Sequence, residues 1–358
     1  ARVISGEGQA YYNGELLDGA EALAKAGIKP LALSYKEGLA LVSGTTSATA
    51  MAAISLFDII NAALAADVIA SLTLESSKGI IKAFDERVMK VRPHSHQADT
   101  AANVRNILAD SEVIEYYKDS RVQDALSLRC VSQLHGAAKQ TIYDALETIE
   151  TEMNACCDNP IIWHDGDEAE VISACNPDSA FVGIEMDSVA IAATNLAKMS
   201  ERRNNRMIDE SLGGYPMFLI SNPGLNSGLM IPQYTQAGLL NDMRILSTSA
   251  TIDNTPTCGN QEDYVAMGYN AAKKALSISR NLEYILAIEL LSAYETQGFI
   301  KDECKRGSTT MKIFGEIGEK VPLMQEDIFL HEHIEYLRDF IHSGRLVEIT
   351  EGCIGEIK

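Results

Sequence analysis

Positive charge is scarce in this sequence. Thirty Lys and Arg face 50 Asp and Glu over 358 residues, a formal net charge of −20. A surface of that sign repels phosphate backbones and anionic headgroups, which argues against nucleic acid and membrane as partners. Seven cysteines are present, an odd count with no CxxC pair, so neither a disulfide framework nor a structural zinc site is indicated. Reduced thiols in the cytoplasm are expected instead. No signal peptide is visible, and no uninterrupted apolar run reaches the roughly 18 residues of a membrane span. The most apolar stretch, 47–73, is broken by Asp58, Asn61 and Asp67. Phosphate-loop, GxGxxG and GxSxG patterns are also missing. The chain opens on Ala1 rather than Met, as a processed or partial product would.

What is present is ordinary globular material, 46% hydrophobic and 22% charged, enough to bury a large core in one to three domains. Residues 1–35 stand apart: "GEGQAYYNGELLDG" carries an Asn13-Gly14 turn signal between short runs, which predicts a hairpin or extended loop. Helix then dominates. The stretch 45–76 starts on capping candidates and continues in helix formers. Further helices are predicted over 122–155, 183–206, 227–251 and 264–299. Such long helices with broad apolar faces predict an all-α chain built on a central bundle. The bundle is expected over 36–300, with a smaller C-terminal helical region over 301–358.

Five stretches put polar groups where a bundle would bury them. "KEGLALVSGTT" contains Lys36 and brings Ser43, Gly44 and Thr45 to the start of the first long helix, where free amides cap the helix or hold an anion. "RVQDALSLRC" places Gln123 and Arg129 near a helix start, and an Arg fork matches a carboxylate as readily as a surface ion pair. "CDNPIIW" and "VISACNPDS" frame a loop carrying Asn159 and Asn176. "SNPGLNSGLMIPQ" is a Gly- and Asn-rich helix entry. In "CGNQEDYVAMG", Asn260, Gln261, Glu262 and Asp263 would need mutual hydrogen bonds if buried at the head of an apolar helix. His94 and His96 have HxH spacing but lack a third ligand, so a loop pair is expected and no metal. His331 and His333 sit in a charged, solvated segment.

Taken in order, "KEGLAL", "VQD" with "SLRC", "DNP", "SERR", "NSG" and "NQED" make the chain resemble the histidine ammonia-lyase branch of the aromatic amino acid lyase and aminomutase family, from about Gly6 to Gly298. The resemblance implies a bundle of long helices assembled as a tetramer, with active sites built from several subunits. It implies a carbon–nitrogen lyase acting on histidine or a related imidazole amino acid. It also implies an electrophilic methylidene-imidazolone formed from Ala-Ser-Gly, with a tyrosine as base. By this resemblance Arg129 would bind the substrate carboxylate, Gln123 would lie near the prosthetic group, and Asn176 near the amine. Glu262 would meet the imidazole, while Asn260 and Asp263 would be structural.

The chain also departs from the family. It contains no Ala-Ser-Gly, so either a second polypeptide supplies the rest of the fold or the sequence has been cut just downstream of the prosthetic group. Ser43 stands where the family has an Asn, Leu126 replaces a Tyr, and Pro177 replaces a pocket Phe; a leucine offers no hydroxyl. Three expectations follow. One is a two-chain enzyme in which a complementary N-terminal subunit supplies the prosthetic group. Another is an ergothionase-like elimination of a quaternary amine that needs no electrophile, assisted by Lys36 and Glu262. The last is a non-catalytic scaffold subunit.

Overall fold

The computed structural model describes residues 2–300 and 304–358. The sequence boundary expected between 300 and 301 therefore falls beside residues outside the described set. At the N-terminal end, strands β1 (Gln9–Tyr12) and β2 (Glu15–Asp18) pair antiparallel around Asn13 and Gly14. Both turn residues have positive φ, at 49° and 82°, the handedness that a two-residue hairpin demands and that Asn-Gly supplies.

Six helices make the bundle: α1 (Thr46–Ser76), α2 (Ser95–Ile107), α3 (Val131–Met153), α4 (Ala180–Ile208), α5 (Met230–Leu246) and α6 (Gly268–Glu295). Helix α6 lies along α4 and α1, α3 packs on α4, α2 and α1, and α5 covers α6 and α4. From Ala62 onward nearly every side chain of α1 is buried, as expected of a helix that is apolar on all sides and enclosed by neighbours. Two of these helices, α1 and α4, reach the length and mean hydropathy of a membrane span. Both carry buried charged residues paired inside the bundle, as core helices do.

Those pairs run through the centre. Asp67 of α1 meets His135 Nδ1 at 2.7 Å and Lys139 Nζ at 2.5 Å, both on α3. Asn103 of α2 donates to the same carboxylate at 2.9 Å. Burial by itself would raise the Asp67 carboxyl, but Lys139 and His135 overcome it and hold it well below the carboxylate range. Burial pushes the His135 imidazole down, against the pull of Asp67. Close helix approach is allowed by Gly136: a Cβ there would stand 2.5 Å from the Gln97 Cα of α2.

Beyond the bundle, α7 (Ser308–Gly318), α8 (His331–His342) and α9 (Arg345–Ile354) form the C-terminal region. Helix α8 rests on α6 and α1, and α9 on α7 and α1.

The long helices fall where periodicity places them, with shifted ends: that expected over 183–206 runs longer, as Ala180–Ile208, while those expected over 227–251 and 264–299 are shorter. The helix expected over 122–155 is extended until Ala125, turns once at Leu126–Arg129, breaks at Cys130 and continues as α3. A second hairpin went unforeseen: β3 (Ile161–Asp165) pairs with β4 (Glu168–Ile172) inside the segment read as a loop. Its signal was legible in Asp165-Gly166-Asp167 between apolar runs, with Gly166 at φ 62°.

Candidate active site

The six candidate residues fall into three groups. Gln123 and Arg129 line a cavity of about 670 Å³ together with Lys82, Lys118, Arg121 and Asp124. Its wall is pinned by Asp124, a buried carboxylate that accepts from the Ile80 amide at 2.7 Å and pairs with Arg121 at 2.5 Å. Lys82 pairs with Asp119. Arg129 differs from its neighbours. Its Nε is buried without a hydrogen-bond partner, and among the described residues its guanidinium makes no hydrogen bond or ion pair. A half-buried guanidinium with an unpartnered Nε is open to an incoming acceptor. Four cations and the carboxylates of Asp119 and Asp124 line the pocket, and Lys82, Lys118 and Arg121 are each paired with an acid, so Arg129 is the cation there that is left to meet an anion.

The second group surrounds the segment 156–160. Lys36, at φ 63°, donates to the Pro160 carbonyl and lies 2.8 Å from Asp158 Oδ2. It sits at the N-terminal boundary of the short helix Glu37–Ser43, which ends on Ser43. Next comes Gly44, where a Cβ would meet the Cys157 carbonyl at 3.2 Å. Thr45 donates to Glu152 at 2.6 Å instead of capping α1 with its own side chain. Asn176 donates to the Cys156 carbonyl at 3.2 Å. Lys36 and Asn176 therefore both approach the short segment that leads into the second hairpin.

Glu262 forms the third group. The stretch "NQED" does not open a buried helix. It lies exposed before α6, its Asn260 the last of three consecutive left-handed residues, Cys258, Gly259 and Asn260. There Glu262 accepts from Thr257 Oγ1 at 2.8 Å and exchanges backbone bonds with the same residue. Among the described residues no hydrogen bond or ion pair joins Glu262 to Arg129, Gln123, Lys36 or Asn176. Exposed, it keeps its other carboxylate oxygen available to a ligand or another chain.

Asp124, Asp158 and Glu152 escaped the sequence reading, although two of them stand beside residues that it singled out. Each acts by orienting a neighbour across a large sequence separation, which spacing does not reveal. The Gly- and Asn-rich entry to α5 proves to be a docking point. Asp327 of the C-terminal region accepts from the amides of Ser227 at 2.9 Å and Gly228 at 2.7 Å. That caps the approach to α5 with negative charge, where it is stabilising.

The residues assigned by resemblance to the prosthetic group fit it poorly in this chain by itself. Gln123 lines the basic cavity, Ser43 ends a different helix, and Leu126, 60% exposed, has no polar atom to offer. They form no common cradle, and the Ala-Ser-Gly precursor is not in the sequence.

A mostly helical bundle with an Arg129-bearing cavity at its flank, roomy enough for a small molecule, is the class that fold and site define. The profile of the aromatic amino acid lyase family matches residues 1–319. A histidine ammonia-lyase of Caldanaerobacter subterraneus subsp. tengcongensis is 43% identical over 349 residues, covering 98% of this chain and 68% of that protein. The crystal structure of histidine ammonia-lyase from Trypanosoma cruzi superposes with a TM-score of 0.90 at 30% identity, over 99% of this chain and 68% of that one. Ergothionase from Treponema denticola, an ergothioneine-degrading enzyme, superposes with a TM-score of 0.85 at 28% identity, over 96% and 69%. The chain belongs to the aromatic amino acid lyase family.

Proposed function

We propose that the chain is a carbon–nitrogen lyase acting on histidine or a related imidazole amino acid, and that it works as one subunit of a two-chain cytoplasmic enzyme. The observation that carries this reading is Arg129: a guanidinium without a partner in a cation-lined cavity, within a chain about 40% identical to histidine ammonia-lyases. Its planar fork is suited to the substrate carboxylate. Gln123, on the same wall, supplies an amide that orients the bound acid.

Glu262 is the group for the other end of the substrate. An exposed carboxylate on a loop can accept from an imidazole N–H or take a proton. Because it stands apart from Arg129 within one subunit, the two ends of the substrate are gripped by residues of different subunits. Lys36 and Asn176 serve the amine-bearing carbon, Lys36 held by Asp158 with its side chain partly buried. Ser43 adds a hydroxyl near that group. The electrophile of ammonia elimination, where used, comes from the complementary N-terminal subunit, and the resulting assembly is a tetramer-like oligomer.

One observation favours a second reading, elimination of a quaternary amine. The likeness to ergothionase coincides with Leu126, an exposed alkyl side chain where the family has a hydroxyl. A leaving group that already carries a full positive charge requires no activation, so that hydroxyl is dispensable.

The test is direct. The chain is assayed alone and together with the product of an upstream reading frame containing Ala-Ser-Gly, against histidine and against its trimethylated betaine. Ultraviolet absorbance of a conjugated acrylate formed from histidine by the pair supports the first reading. Trimethylamine released by the chain alone supports the second. Turnover unchanged in both Arg129→Ala and Glu262→Gln would remove the site assignment.

A further inference from the structure

Far in sequence from the residues discussed so far, three side chains from three helices meet. Asp58 lies on α1, Glu283 on α6 and His342 at the C-terminal end of α8, and one ligand atom of each lies within 4.8 Å of the other two. His342 Nδ1 stands 2.8 Å from Glu283 Oε1 and 3.9 Å from Asp58 Oδ1. Asn61, one turn beyond Asp58, donates to the carbonyls of Ile341 at 2.6 Å and His342 at 3.4 Å. That bond fixes the end of α8 against α1, so the imidazole is delivered to the two acids by a pinned backbone.

We propose that Asp58, Glu283 and His342 form a binding site for a zinc-class divalent cation, which clamps the C-terminal helical region onto the bundle. Two carboxylate oxygens and one imidazole nitrogen are a donor set suited to Zn²⁺ and its first-row neighbours. Magnesium and calcium prefer more oxygen ligands, which this cluster does not offer. The Glu283 side chain is buried and that of Asp58 is 14% exposed, while the imidazole is 46% exposed, which leaves an entry path and an open position for water.

The charges around the cluster leave room for the ion. Arg338 Nη1 approaches Glu283 Oε2 at 3.8 Å, on the oxygen turned away from His342, and Arg280 acts on Asp58 from further off. On binding, His342 gives up its Nδ1 proton to solvent and that nitrogen takes the metal.

The probe is Co²⁺, titrated into the chelator-stripped full chain and then displaced by Zn²⁺. We expect one equivalent bound with visible ligand-field bands and no thiolate charge-transfer band, which separates this site from the free cysteines. Zinc raises the unfolding midpoint of the wild type. His342→Ala weakens cobalt binding by more than the roughly 10–100-fold typical of losing a supporting partner, and its midpoint no longer responds to zinc. Asp58→Asn, which preserves the shape of the cluster, weakens it likewise and stands in if His342→Ala fails to fold. His331→Ala, outside the cluster, leaves binding unchanged. An absence of bound ion in the wild type, a thiolate spectrum, or wild-type affinity in both His342→Ala and Asp58→Asn overturns the proposal.

Discussion

Arg203 holds Glu289 through two parallel hydrogen bonds, Nε to Oε1 at 2.5 Å and Nη2 to Oε2 at 2.8 Å, with both side chains fully buried between α4 and α6. Thr73 of α1 donates to the same carboxylate at 2.7 Å, so one fork ties three bundle helices. Arg129 is its opposite, a guanidinium with nothing to hold. Arg203→Ala should therefore cost about 3–5 kcal/mol by stranding a buried carboxylate. Arg129→Ala should shift stability by no more than about 0.5 kcal/mol, as for a side chain with no native partner. Denaturant unfolding of the two variants checks the contrast, and a large loss in Arg129→Ala would show that the guanidinium has a structural role.

Glu295, at the end of α6, predicts a pH dependence of stability. Burial raises its carboxyl from 4.5 to about 7, opposed only by the Met324 amide at 3.1 Å, and its Oε1 has no partner. A folded-state value above the unfolded one means that the unfolded chain ionises first as pH rises. This group's contribution is therefore fully present below pH 4.5, is lost through the interval up to about 7, and stays lost above it. The loss is on the order of 3 kcal/mol. Glu295→Gln should flatten the fall in unfolding midpoint across that interval and raise the midpoint at pH 8.

Gly136 sets the distance between α3 and α2. A methyl group there would stand 2.5 Å from both the Gln97 Cα and its amide nitrogen, which are backbone atoms with no rotamer to yield. Gly136→Ala is expected to cost about 1–3 kcal/mol or more through overpacking, despite the better helix propensity of alanine. A stability equal to wild type would mean that the two helices separate without cost.

The cysteines should differ in reactivity in a defined order. Cys156, Cys175, Cys258 and Cys353 are exposed, whereas Cys157 is partly buried and 3.1 Å from Glu152 Oε1. Burial, aided by that carboxylate, pushes the Cys157 thiol up, which lowers its thiolate fraction. Timed maleimide labelling read by mass spectrometry should modify Cys156 well before Cys157. Glu152→Gln should speed Cys157. Simultaneous labelling of the two neighbours would contradict the assignment.

Local patterns already pointed to much of the molecule. The Asn13-Gly14 hairpin and the long helices are encoded by turn chemistry and periodicity, properties of neighbouring residues, so they are visible in a string of letters. The hairpin around Gly166 was equally local and was passed over because Asn and Pro on both sides read as loop. The exposed setting of "NQED" could not be read this way. Four polar groups before an apolar helix look alike whether the chain enters the core there or stays outside until Gly268.

The sequence by itself determined where helices form, that the surface is acidic, and through its motifs the family to which the chain belongs. Only the tertiary structure decided which charges are answered and which are not. It seats Arg203 on Glu289 and Lys139 on Asp67, leaves Arg129 open in its cavity, and draws Asp58, Glu283 and His342 together from three helices. The physical reason is range: helix and turn are set by contacts a few residues apart, whereas a side chain's partner and solvation depend on elements that meet only once the bundle has closed.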